Sequence, residues 1–150
     1  MDLEITKFCE KVAQELGKGY AECVYQEALC VHLRSSGYRY SKEATLDIVY
    51  NEVNVGSVRA DIIINDKKNK YVIECKAIDA NLRINYVPQI LCYMRLTGIN
   101  TGVMVNFNQN PNKPNVEYIY VTKCGNYFQV SLNGEIYKMT ESGSIMIDEI

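Results

Sequence analysis

The sequence predicts a mixed α/β domain: a central sheet flanked by helices, with a β-rich C-terminal end. Three observations predict it. Apolar residues recur at helical spacing near the N-terminus and at a spacing of two afterwards. A helical stretch returns at about residues 85–97, between strand-like runs, the interleaving expected of a sheet covered by helices. The 150 residues, 47% hydrophobic and 23% charged, suffice for one substantial core, so residues 1–150 are expected to form a single domain.

Ile5, Phe8, Cys9, Val12 and Leu16 mark one face of a first helix, stopped by Gly17 and Gly19. A second helix is expected from about Tyr20 to Ser35, closed by Gly37, with Glu22 and Gln26 on one face. Leu46–Tyr50 and Val53–Val58 read as strands joined at Asn51-Glu52, the second running on through Ile64. Asn65–Lys70 is a polar turn, and Tyr71–Ala77 a third strand. The helix from Asn85 to Thr97 would hold Pro88 in its first turn and end before Gly98. Thr101–Phe107 returns to strand, and Asn108–Asn115 is a loop rich in Asn and Pro. Val116–Thr122 and Asn126–Leu132 read as strands, and Asn133-Gly134 as a hairpin turn into Glu135–Met139. The last ten residues show no period.

Composition excludes several function classes. A net charge of −2 is unlike a protein that binds nucleic acid by bulk positive charge, although a local basic groove remains compatible with it. No apolar run approaches the roughly 20 residues of a bilayer span, and the N-terminus does not resemble a secretory leader. Six cysteines form no CxxC pair and there is one histidine, which argues against a structural zinc site. Thiols within apolar segments read as small buried hydrophobes of a reducing, intracellular compartment, cytoplasmic or nuclear. His32, in a helix of mixed polarity, reads as structural.

The anomaly is Glu74 and Lys76 inside an otherwise apolar strand. Period two puts Val72, Glu74 and Lys76 on one face and Ile73, Cys75 and Ala77 on the other. A turn centred between Lys67 and Lys68 sets Ile64 opposite Tyr71 and Asp61 opposite Glu74. Facing carboxylates repel unless a cation lies between them, and hard oxygen ligands suit Mg²⁺ or Mn²⁺. Spacing alone leaves two readings open: an exposed row of ion pairs, or a metal site. Asp66-Lys67-Lys68 repeats the acid–lysine spacing in a polar turn, where solvation explains it.

Asp61 followed by Glu74-x-Lys76 resembles the PD-(D/E)XK nuclease superfamily, and the fuller likeness is to its GxxExxY branch. Gly19–Tyr25 resembles the naming motif, Arg59-Ala60-Asp61 the segment with the aspartate, and Glu74–Ala77 the E-x-K-A strand. Gln89–Tyr93 resembles the following Q-x-x-x-Y helix, and Gly98 through Phe107 the G-x-x-x-N-F strand. The likeness covers about residues 16–108 and leaves 116–150 as a β extension. It implies a restriction-endonuclease-like core, with a divalent ion, Mg²⁺ or Mn²⁺, on Asp61, Glu74, the Cys75 carbonyl and Glu22. Lys76 would orient or deprotonate the attacking water, and Gln89 would support the site. Where relatives often carry a histidine shortly before this glutamine, the chain has Tyr86.

The function implied is metal-dependent phosphodiester hydrolysis, most naturally in DNA, with Lys18, Lys42, Arg59, Lys67, Lys68, Lys70 and Arg83 as candidate backbone contacts. A homodimer would suit an enzyme cutting two strands with one centre per chain. The alternative is a non-catalytic module of this fold that binds nucleic acid or a protein; losing chemistry would be expected to cost one of Asp61, Glu74 or Lys76, and all three are present.

Overall fold

The structure is a computed structural model that describes residues 2–79, 82–107, 113–132, 134–140 and 145–146, without the side chains of 2, 3, 82–85, 145 and 146. Helix α1 (Asp2–Leu16) is followed by α2 (Glu22–Ser35). Strands β1 (Tyr40–Tyr50), β2 (Val53–Asn65) and β3 (Lys70–Lys76) come next, then α3 (Leu82–Thr97) and β4 (Thr101–Asn106). The chain continues as β5 (Asn115–Cys124), β6 (Tyr127–Leu132), β7 (Glu135–Thr140) and β8 (Ile145–Met146). The strands form one sheet in chain order, antiparallel throughout except for the parallel pair β3–β4 that α3 connects. This is the mixed, helix-flanked sheet that the sequence predicts.

Two apolar layers enclose the sheet. Ile5, Cys9 and Val12 of α1 and Leu29 and Leu33 of α2 pack on Ile62, Ile64, Ile73, Cys75 and Val105. Val87, Ile90, Leu91 and Met94 of α3 cover Ile63, Val72, Met104 and Ile119 on the other face. Helix α3 lies so close to β4 that a Cβ on Gly102 would stand 2.7 Å from Met94 Sδ. Burial pushes the Cys9 thiol up to about 12 and Cys30 to about 11, so both stay protonated and apolar in character. The six cysteines are free thiols. The ring of His32 stacks on Phe8 at 5.3 Å, a packing role.

Element boundaries differ from expectation where polar sequence hides a strand or a loop residue delays a helix. Gly19, at φ 104°, and extended Ala21 hold α2 off until Glu22, two residues later than expected. Strand β1 begins at Tyr40 because β2 supplies ladder partners for a polar, alternation-poor segment. Helix α3 starts at Leu82, so Pro88 lies in its interior and not in its first turn. Burial of Val87, Ile90 and Leu91 offsets the hydrogen bond that proline removes. The aperiodic C-terminus contributes the short β8, paired through Met139 and Ile145. Turn residues Asn51 and Glu52, at φ 48° and 65°, close the β1–β2 hairpin as expected. The β6–β7 hairpin forms with Leu132 opposite Glu135, while Asn133 and residues 108–112 of the expected loop lie outside the described residues.

Candidate metal and nuclease centre

The centre forms where β2 leaves β3. Their pairing includes Ile64↔Tyr71, the expected register, and ends at Ile62↔Ile73, one step before Asp61 and Glu74. On the other side, β1–β2 pairing skips the Glu43/Asp61 step, and Glu43 adopts φ 53°. Even-numbered residues change layers there: Ile62 and Ile64 pack with α1 and α2, whereas Val58 and Ala60 pack with α3. The freed polar groups of Asp61 find new partners. Its carbonyl accepts from Gln26 Nε2 at 3.0 Å, and its Oδ2 accepts the Cys75 N–H at 2.8 Å.

Val72, Glu74 and Lys76 occupy the α3 side of β3, and Ile73 and Cys75 the other, as period two requires. Glu74 is 2% exposed, and the Asp61 carboxyl lies near enough for its charge to act on that of Glu74. Burial, then the charge of Asp61, pushes Glu74 up to about 8 against the opposing pull of Lys76. Lys76 Nζ lies 3.4 Å from Glu74 Oε2 and 3.9 Å from Glu22 Oε1, and 4.6 Å from the centre of the Tyr86 ring. Burial acts to depress the Lys76 ammonium, but Glu74 and Glu22 override it and hold it above the usual lysine value. Lys76 is therefore a cation at neutral pH, gripped between two acids and an aromatic face.

An exposed row of ion pairs does not describe Glu74, which is buried. An ion-pair ladder would leave its carboxylates solvated or fully partnered, yet Oε1 of Glu74 is buried with no hydrogen-bond partner. Such an atom costs free energy unless a proton or a cation reaches it. Two adjacent acids and a backbone carbonyl fit a hard divalent ion that keeps several waters. Among the described residues no three His, Cys, Asp or Glu side chains converge as a ready cage. Glu22 accordingly stands at the margin, engaged with Lys76, although burial raises its carboxyl and so leaves it receptive to a cation.

Several supporting residues were not singled out as site residues in the sequence. Gln26 anchors Asp61, and only its shared helix face with Glu22 hinted at this. Asn106 accepts the Ile78 N–H at 3.1 Å and donates to the Ile78 carbonyl at 2.7 Å, fixing the chain just past Lys76. Tyr93 stands one turn after Gln89 on α3, and burial, then the charge of Glu74, raises its phenol. The motif residue Tyr25 stacks on Phe107 at 4.9 Å and donates to the Gly17 carbonyl at 2.6 Å, pinning the start of α2 and with it Glu22.

The candidate contact residues divide. Lys18 lies 3.9 Å from Asp79, just beyond β3, at the end of the sheet that carries the centre. Lys42 pairs with Glu27 at 2.7 Å and Arg59 with Glu43 at 3.9 Å, both near the Asp61 step. Lys67, Lys68 and Lys70 stand at the other end of β3, with Lys70 about 13 Å from Glu74 and about 20 Å from Lys76 at the rise of a strand, so proximity in sequence did not bring them to the centre. The side chain of Arg83 lies outside the described residues.

A sheet of this topology, with two acids and a lysine at the divergence of two strands, defines a restriction-endonuclease-like scaffold. Residues 1–119 match the family profile of the PD-(D/E)XK nuclease superfamily, and the chain belongs to it. The match supports a nuclease-type function, and nucleases of this superfamily generally use divalent metal ions. It also takes in α1 and β5 as far as Ile119, beyond the span of the motif resemblance. No curated protein and no solved structure matches the chain. Among the described residues, no helix is long and apolar enough to cross a membrane.

Proposed function

We propose that the protein is a Mg²⁺- or Mn²⁺-dependent nuclease of the GxxExxY branch, hydrolysing phosphodiester bonds in DNA. The observation that carries this reading is the partnerless buried Oε1 of Glu74, in a carboxyl raised by the nearby charge of Asp61 and with its other oxygen, Oε2, 3.4 Å from Lys76 Nζ. Asp61, Glu74 and the Cys75 carbonyl would hold the ion, with Glu22 at the margin. When bound, the ion supplies charge neutralisation at the scissile phosphate and makes a nearby water more acidic.

The chain's own residues do the rest. Lys76, already charged, places a fixed positive charge where negative charge gathers on the phosphate and donates hydrogen bonds to it or to the attacking water. Tyr86 and Glu22 hold the ammonium in place. Gln26 and the Cys75 N–H fix the backbone and carboxylate of Asp61, so the acid needs little reorganisation. Gln89 and Tyr93 brace the α3 side. Lys18, Lys42 and Arg59 are near enough to guide a strand into the centre. Residues 1–150 act as one unit, and two copies would set two such centres against a duplex.

A cleavage panel of labelled single-stranded, duplex, nicked and branched DNA, with matching RNA, tests the reading. Cleavage should require Mg²⁺ or Mn²⁺, stop in EDTA and be lost in Glu74→Ala. Cation-dependent binding of the same substrates without cleavage by the wild type would favour the non-catalytic alternative.

A further inference from the structure

At the end of the sheet remote from the catalytic centre, the β2–β3 turn and the α3–β4 turn border an open cavity. Its volume is about 400 Å³, and Lys67, Lys68, Lys70, Tyr71, Asn100 and Thr101 are among its lining residues. The parallel register makes it: Val72 pairs with Gly102, so both strands start at the same end and their preceding turns lie side by side. Reciprocal backbone hydrogen bonds between Asp66 and Asn69 tighten the lysine-bearing turn, and the Asp66 carboxylate accepts the Lys67 N–H at 2.9 Å. None of the three ammonium groups has an ion-pair partner among the described residues. Three like charges around one concavity repel, in a protein whose net charge is −2.

We propose that this cavity is a binding site for a small molecule bearing linked phosphates, separate from the catalytic centre. The cavity is in the size range of small-ligand sites, and the Asn100 and Thr101 side chains add neutral hydrogen-bonding groups beside the cations. One phosphate carries about −1.5 to −2, too little to balance three ammonium groups, whereas two linked phosphates suffice. A nucleic-acid strand seated at Lys76 would have to run the length of β3, about 20 Å, to reach these lysines, and a concave pocket offers it no continuous track.

The test is calorimetric titration of the wild-type protein with inorganic pyrophosphate in EDTA, which makes it independent of catalysis and of any metal. Saturable binding is expected, weakened at least about tenfold in Lys67→Ala/Lys68→Ala/Lys70→Ala, as loss of several charge-assisted contacts implies. Glu74→Gln should bind pyrophosphate as the wild type does. Lys68→Glu, one exposed turn position, should weaken binding likewise and carries the test if the triple variant does not fold. No saturable binding, binding unchanged in the lysine variants, or binding lost in Glu74→Gln would each overturn the proposal. So would binding of a single-stranded oligonucleotide with none of pyrophosphate. Failure of the cleavage panel would leave this result untouched.

Discussion

The backbone N–H of Cys75 donates to Oδ2 of Asp61 at 2.8 Å, so a side chain takes over where the β2–β3 ladder ends at Ile62↔Ile73. One contact does two things. It satisfies a buried backbone donor after the strands diverge, and it aims the Asp61 carboxylate across the gap at Glu74. The contact ties β2 to β3 at the point where their backbone pairing has stopped.

Removing either acid or the lysine should abolish cleavage. Asp61→Ala, Glu74→Ala and Lys76→Ala are each expected to slow single-turnover cleavage by at least about a hundredfold at saturating substrate and metal. Because the groups act together, double variants should be little worse than single ones. Lys76→Ala cutting at the wild-type rate would contradict the assignment of β3 as catalytic. Glu22→Ala and Gln89→Ala should be milder, since both stand at the margin.

Metal-free protein should lose stability as pH rises from about 4.5 to about 8. Glu74 is pushed up from 4.5 to about 8 by burial and Asp61, so the native state binds a proton that the unfolded chain has released in this window. That contribution is whole below the unfolded value and gone above the folded one. Glu74→Gln should flatten the dependence relative to wild type, as read by Tm against pH in EDTA. Mg²⁺ at pH 8 should raise the wild-type Tm and leave that of Glu74→Gln nearly unchanged, because the ion takes the place of the proton. Parallel curves for the two proteins would refute the buried-acid account.

Asn106→Ala should cost about 2–4 kcal/mol in urea denaturation. The residue is fully buried and holds both backbone polar groups of Ile78, so its loss strands one donor and one acceptor. Because Lys76 pairs with Asn106 and its carbonyl accepts the Phe107 N–H, cleavage should fall as well, even at temperatures where the variant is folded.

Gly102→Val should destabilise by about 1–3 kcal/mol, the usual range for overpacking. Its Cβ would meet Met94 Sδ at 2.7 Å and Ile90 Cδ1 at 3.1 Å, which forces α3 away from β4. The paired change Gly102→Val/Met94→Ala should recover part of the loss in the same denaturation measurement.

The sequence by itself determined the parts. Periodicities of 3.6 and two located the main elements, and alternation along Tyr71–Ala77 put Glu74 and Lys76 on one face because backbone geometry alone dictates it. Five ordered motifs were enough to indicate the superfamily. Asp61 was matched to Glu74 by counting outward from the lysine turn, since an antiparallel register follows from its turn.

Only the tertiary structure decided how those parts meet. The left-handed φ of Glu43 and the layer exchange at Asp61 carry no local signature, because they arise from two strands twisting against different helices. Gln26 and Asn106 became supporting residues through contacts spanning 35 and 28 positions, and although Asn106 and Tyr93 fall within motifs read from the sequence, those motifs do not say what either residue touches. Lys67, Lys68 and Lys70, close to Glu74 along the chain, ended at the far end of β3, Lys70 about 13 Å from Glu74, because a strand is stiff and extended. Sequence marks Glu74 only as an acid in an apolar strand; its raised carboxyl comes from burial and the neighbouring charge of Asp61, which exist only once the sheet has closed around it.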